Sequence, residues 1–555
     1  MKPRSFFTIL TTGAIAVFVV AAVGFFWIIG RSPLSLLGGG VVAYPQAALF
    51  ISKQAPAAIS LLVNPEKLDA LRQLSVPISK RRQSRLEWDE LKTNLLAQTG
   101  LDYRRDIKPW LGEEITLAIT SLDYDRNPNN GVQPGYLLAT ATKDTELAKE
   151  FLQISLSEGA ISESIDLAYE KYKGVNIIYQ RSLAPEANPS IWANAVVGDF
   201  VLFANHPEVL RQAINNAQAI DLSLARADFY QTALETIYQP RIGLAYLNLP
   251  GVSAWLDKAA VPQTTEKQTL TVTLAVKRAG VAAETALIGV KNESDRTPAL
   301  SEPVTALSYL PANNVVAVAG TNLDDFWQKI QAGLNPQSPL AQLANQIIAS
   351  IETPLKIDLA EDIFSWVKGE YALALLSSPE NSSGWLFVAE NTASEDITEA
   401  IAHLDSLARQ QGLSVGEFPV GDTNVTAWTR LKTASKPNSV SLNAEVRGAH
   451  AVTDNYVILA DSLETVALAL DSRNSFLSNP EFQKIVASLP SENDGYVYVN
   501  YADGKAFLER ELPIIKAIEL SAQSLLAHIK AIALSSQGSK AGVRRATVVF
   551  ELENS

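Results

Sequence analysis

Two stretches of this chain are written twice at one fixed spacing, and that duplication constrains the fold more than any other feature. DIKPWLGEEITLA, from Asp106, matches DIFSWVKGEYALA, from Asp362, at an offset of 362 − 106 = 256. WANAVVGDFVLFAN, ending at Asn205, matches GAHAVTDNYVILAD, ending at Asp461, at the same offset, 461 − 205 = 256. Further correspondences follow in order. Gly243, Tyr246 and Asn248 match Gly495, Tyr498 and Asn500, and both copies end in two alternating strands around a glycine-containing turn. Self-similarity on this scale predicts two copies of one domain: residues 31–293 and 304–555, joined by an exposed linker over 294–303.

Ahead of the repeats, residues 6–30 carry no charge, and at about 1.5 Å per residue they are long enough to span a hydrocarbon core of about 30 Å. Lys2 and Arg4 precede this run and only Arg31 follows closely. The positive-inside bias therefore predicts a signal anchor over 6–30, a cytoplasmic stub over 1–5, and repeats exported to the periplasm or thylakoid lumen. The alternative is a cleaved signal peptide, with Ala22-Val23-Gly24 offering small residues at a cleavage-like spacing.

Within each copy, helices alternate with paired strands, and long hairpins favour antiparallel sheets over a doubly wound parallel one. The expected fold class is α+β: a transmembrane helix followed by two tandem domains with largely antiparallel sheets. Asn64-Pro65-Glu66, Ser84 with Glu87, Asn205 with Glu208, and Asp461 with Glu464 read as helix starts. Asn248 and Asn500 read as strand ends.

Composition excludes much chemistry. The chain has no Cys, so thiol catalysis, disulfides and thiolate metal sites are impossible. Met1 is its one methionine, and His206, His403, His450 and His528 lie far apart, which leaves few ligands for soft metals. A formal net charge of −13 repels phosphate backbones, so no nucleic-acid partner is expected. There is no Walker loop, GxGxxG fingerprint or HExxH motif, and no cofactor is expected.

The candidate catalytic groups are the duplicated carboxylates Asp106 and Glu114 around Trp110, and Asp362 and Glu370 around Trp366. Paired carboxylates perform acid–base chemistry when burial separates their pKa values, but these positions also suit capping and packing. Asp123, Asp125 and Asn127 resemble the opening of a calcium loop. Pro128 and Pro134 occupy the places of its glycine and bidentate glutamate, and the region also reads as a polar hairpin tip. Gly412-Leu413-Ser414-Val415-Gly416 fits GxSxG, yet a helix precedes it where the nucleophile elbow needs a strand. Lys80, Arg81, Arg82 and Arg85 form a basic cluster that suits either anionic headgroups or a solvated helix surface.

The apolar N-terminus, the DIKPWLGEE segment, the VVGDFVLFAN hairpin and the second copy together resemble a family of bacterial envelope proteins, mainly cyanobacterial, catalogued as a domain of unknown function. The resemblance implies a membrane-anchored protein and transfers no active site. The function expected is a non-enzymatic binding or scaffold protein, anchored in the membrane through residues 6–30, whose partner is a protein or an apolar ligand. The alternatives are a tethered hydrolase with a carboxylate- or Ser-based site, and a passive structural or adhesive envelope element.

Overall fold

A computed structural model of the chain describes residues 44–64, 102–127, 131–162, 165–182, 193–237, 240–256, 268–277, 280–289, 300–333, 352, 357–377, 383–392, 395–436, 439–471, 475–511 and 529–552. The chain divides into two compact units after Asp295, with the short stretch Ser539–Arg545 counting with the first.

The first unit contains β1 (Ala57–Leu61), β2 (Leu111–Ser121), β3 (Gly135–Thr142), β4 (Ile165–Tyr172), β5 (Val175–Ser182), β6 (Ala193–Val197), β7 (Phe200–Ala204), β8 (Gly243–Asn248), β9 (Thr269–Lys277) and β10 (Gly280–Ile288). They are ordered β10-β9-β8-β1-β2-β3-β7-β6-β5-β4. The second unit contains β11 (Asn314–Thr321), β12 (Glu370–Ser377), β13 (Ser383–Glu390), β14 (Ser414–Val420), β15 (Thr423–Lys436), β16 (Ser439–Val452), β17 (Tyr456–Ala460), β18 (Gly495–Asn500), β19 (Ile529–Lys540) and β20 (Val543–Leu552). Their order, β20-β19-β18-β11-β12-β13-β17-β16-β15-β14, repeats that of the first unit strand for strand. Every ladder of defined register is antiparallel.

This corrects the expected fold class. Antiparallel sheet dominates the described chain, and no helix among the described residues is long and apolar enough to cross a membrane. Uncharged length is a condition for a membrane span and does not by itself produce one. Residues 6–30, where the span was expected, lie outside the described residues, as do Lys80, Arg81, Arg82, Arg85 and the helix starts at Pro65 and Ser84.

Alternation along the strands builds the layers. In β2, Thr116, Ala118 and Thr120 are buried on one face, while Ile115, Leu117 and Ile119 lie on the other. Two-residue turns connect several neighbours. Lys173 (φ 47°) and Gly174 (φ 85°), between the paired Tyr172 and Val175, have the positive φ values of a type I′ turn, whose twist matches the flanking strands.

One helix packs on the Thr116 face. Pro207–Gln218 buries Val209, Leu210, Ala213 and Ile214 in a core with Leu137, Leu202 and Tyr246, and Tyr230 meets Tyr246 edge to face at 5.6 Å. In the second unit Tyr498, the counterpart of Tyr246, packs with Phe476 and Phe482 at 5.2 and 5.8 Å.

The caps sit one residue later than expected. His206 Nδ1 accepts the Glu208 amide at 3.2 Å and Ser462 Oγ the Thr465 amide at 3.1 Å. Asn205 instead latches onto β3, accepting the Tyr136 amide and donating to the Pro134 carbonyl, both at 2.8 Å. Asn248 and Asn500 cap the helices that follow their strands, accepting the amides of Gly251 and Asp503 at 3.4 and 3.2 Å.

Where β18 begins opposite Gly320, Gly495 has φ 139°, and a Cβ there would lie 2.5 Å from the Ala319 carbonyl oxygen. Gly495→Ala is expected to destabilise the second unit by about 2 kcal/mol or more, because the conformation and the space both exclude a side chain. Guanidinium unfolding would show it, and an unchanged midpoint would refute it.

Candidate functional site

The duplicated motif folds into a duplicated turn. Asp102 Oδ1 accepts the Arg105 amide at 2.8 Å, and Asp106 Oδ2 accepts the Asp102 amide at 2.8 Å, a reciprocal cap on the turn Tyr103–Ile107. The second copy repeats it. Asp358 accepts the amides of Ala360 and Glu361, and Asp362 Oδ2 accepts the Asp358 amide at 2.8 Å. Trp110 and Trp366, both buried, donate their indole N–H to the carbonyls of Asp106 (2.7 Å) and Asp362 (3.0 Å).

Asp106 also accepts the Arg105 guanidinium at 2.6 Å, which together with the Asp102 amide holds its carboxyl below the ordinary range. The Asp362 carboxylate lies 3.2 Å from His403 Nε2.

The strand-start glutamates serve a different turn. Buried Glu114 accepts the Gln46 and Ala47 amides at 2.8 and 2.9 Å, capping Gln46–Leu49, and lies 2.9 Å from the Thr116 hydroxyl. Burial pushes its pKa up, while those three hydrogen bonds pull it down. Glu370 Oε2 accepts the Ala306 amide and the Tyr456 hydroxyl, each at 3.2 Å, beside the turn Thr305–Tyr309. Each candidate carboxylate is thus committed to main-chain donors of its own, the arrangement that satisfies the exposed N–H groups of a short turn.

The other sequence candidates are scattered. Asp125 Oδ1 accepts the Asn127 amide at 3.0 Å and Asp123 Oδ1 the Gln133 amide at 3.4 Å, the bonding of a hairpin tip. Burial, with Asp125 beside it, raises the Asp123 pKa. Among the described residues no group of three or more His, Asp or Glu is placed to hold a metal. Exposed Ser414 opens β14, after the helix Glu395–Gln410 rather than before one. Gly412, at φ 77°, closes that helix, and the Leu413 amide reaches back to the Ala408 carbonyl at 3.0 Å.

One polar cluster went unseen in the sequence. Asp405, on the helix Glu395–Gln410, has one oxygen, Oδ1, at 2.7 Å from Trp428 Nε1 and 3.0 Å from His450 Nε2. His450 is buried on β16, and Trp428 lies on β15 with its ring 5.7 Å from the imidazole. A single carboxylate oxygen therefore ties a helix to two strands. At the matching position, 450 − 256 = 194, the first copy carries buried Asn194. Nothing local links residues 45 apart, so no sequence signal pointed to the cluster.

The first sheet also carries an open apolar face among the described residues. On the face of β2 away from the core, Leu117 is 54% exposed and sits between Ile59 of β1 and Leu138 of β3. Ile119 pairs with Tyr136, which is 38% exposed, and Ile115 pairs with Leu61. The helix Thr145–Ser162 covers the Ile115 end through Ala148 and Leu152. Trp255 reaches the Tyr136 hydroxyl at 3.2 Å. Two open hollows lie on the surface: one of about 420 Å³ lined by Asp144, Glu146, Leu147, Lys149, Glu150 and Gln153, the other of about 440 Å³ beside Asn479.

Comparison with known proteins gives a family and little more. The family model described as "Protein of unknown function (DUF3352)" matches residues 10–552. No curated protein matches. Two solved structures, crystal forms III and I of TP0453, match at 10% identity with TM-scores of 0.22 and 0.21. Each alignment covers 46% of this chain, and 82% and 81% of the respective structure. Likeness this slight carries no argument.

Proposed function

We propose that this chain, which belongs to the DUF3352 family of proteins of unknown function, is a non-enzymatic binding protein that holds a protein partner on the open apolar face of its first sheet. The observation that carries this reading is exposed Leu117 and Tyr136 with half-buried Ile59, Ile119 and Leu138 beside them across three adjacent strands. Adjoining exposed apolar side chains on a folded protein mark a candidate interaction site. The face is open rather than a cleft, which suits a macromolecular surface; small molecules are held in concave pockets that bury most of their area.

The duplicated carboxylates support the same reading from the other side, since capping accounts for their hydrogen bonds. A photo-crosslinking amino acid at Leu117, with Asp422 in an exposed turn of the second unit as control, tests the proposal in cells. A discrete protein adduct at 117 and none at 422 is the expected result. Equal labelling at both positions, or none at 117, would overturn it. So would a serine-directed fluorophosphonate probe that labels the purified chain at Ser414.

A further inference from the structure

The two copies end their rows of strands differently. β4 closes the row in the first unit and β14 the matching row in the second, and among the described strands each has one ladder of defined register, to β5 and to β15. An edge strand offers its open main-chain groups to any other strand, and folded proteins blunt such edges with prolines, bulges and charges. β14 is blunted in this way. It carries Gly416 and exposed Pro419, which stands opposite Asn424, one step from the turn pair Val420–Thr423. Ladder bonds alternate along an antiparallel pair, so at Pro419 the backbone nitrogen faces outward, and proline has no N–H to offer there.

β4 has no such guard. All eight of its residues, Ile165–Tyr172, pair with β5 without a bulge, and no glycine or proline interrupts them. Tyr172 and Val175 close a two-residue turn, which makes them a hydrogen-bonded pair. The ladder to β5 therefore uses the N–H and C=O groups of Tyr172, Glu170 and Ala168, and those of Lys171, Tyr169 and Leu167 face outward. Tyr169, at 72%, is also the most exposed large apolar side chain among the described residues.

Donors and acceptors alternating at strand spacing are matched by another extended strand. We infer that β4 pairs antiparallel with the β4 of a second copy of this chain, about a two-fold axis at Tyr169. The strand complements itself in that register. The two Tyr169 rings meet across the axis, Leu167 stands opposite the stem of Lys171, and Ala168 stands opposite Glu170, whose charge Arg211 already neutralises at 2.7 Å. An axis at Glu170 or at Lys171 would set like charges against each other. The contact is isologous, so it closes at two copies and does not extend into a fibre. Two strands of this length bury little surface, which makes the dimer weak and its population dependent on concentration.

Because the chain has no Cys, single cysteines read the register directly. Hydrogen-bonded antiparallel partners have Cα atoms about 5.5 Å apart, within disulfide reach. Oxidation of purified full-length Tyr169→Cys is expected to give a disulfide-linked dimer at a rate that rises with protein concentration. Ala168→Cys alone should link about tenfold more slowly, because its own counterpart lies diagonally at about 7–8 Å. Mixed with Glu170→Cys, it should give the mixed dimer. Adding Lys171→Pro to Tyr169→Cys should lower the yield about tenfold, since it removes an outward N–H and spares the ladder to β5. An unchanged unfolding midpoint would show that the sheet survives this change, and the cysteine pattern decides the register without it. No linked dimer, Ala168→Cys linking as fast as Tyr169→Cys, or a yield indifferent to a folded Lys171→Pro would each overturn the pairing.

Discussion

Glu114→Ala is expected to lower stability by about 3 kcal/mol, against about 1 kcal/mol for Glu370→Ala, although the two glutamates occupy equivalent positions. Glu114 is buried and supplies both oxygens to main-chain amides, those of Gln46 and Ala47, and it also contacts the Thr116 hydroxyl. Removing it strands the buried Ala47 amide and the buried Thr116 hydroxyl. Glu370 loses one amide and one tyrosine hydroxyl, each at 3.2 Å, and half-exposed surroundings let water replace it. Urea unfolding of the two variants gives the comparison. Equal losses would mean that the capping account of Glu114 is wrong.

The same residue carries a pH signature. Burial raises the Glu114 pKa in the folded state above its ordinary 4.5, so the folded chain holds this proton more tightly than the unfolded one. Its stabilising contribution is complete below 4.5 and falls as pH rises from there through the folded value. The difference in stability between wild type and Glu114→Ala should therefore shrink across that window, and a difference that grows with pH would contradict the sign.

Asp405→Ala is expected to cost about 2–3 kcal/mol, because it leaves the Trp428 indole and the His450 imidazole without their shared acceptor beneath a packed helix. Asp405→Asn keeps an acceptor oxygen and should recover at least half of the loss. A double-mutant cycle with His450→Ala should give a coupling of about 1 kcal/mol. Additive effects would show that the helix Glu395–Gln410 is held by its apolar contacts alone, through Ile397, Ile401 and Leu404.

Much of the architecture was legible because it is written in local pattern. The matches at Trp110 and Trp366 reflect one turn built twice, down to the indole bond back to the carbonyl four residues earlier. The helix-then-strand order around Ser414 was readable for the same reason, since period and a glycine at φ 77° are properties of neighbouring residues. The caps were misplaced by one residue because Asn205, equally suited to cap a helix, is claimed first by the edge of β3. The expected fold class gave too little weight to sheet, since antiparallel strands dominate the described chain, and residues 6–30 lie outside it.

What the sequence determined by itself is therefore the duplication, the strand alternation and the turn chemistry, each set by contacts between residues near in the chain. Only tertiary structure decided what the polar groups are for. Glu114 finds its donors 68 and 67 residues away at Gln46 and Ala47, Asp405 meets His450 at 45, and the open face around Leu117 exists because β1 and β3 flank β2 in one register. A carboxylate's partner depends on which distant amide the fold leaves unpaired, and no local pattern records that.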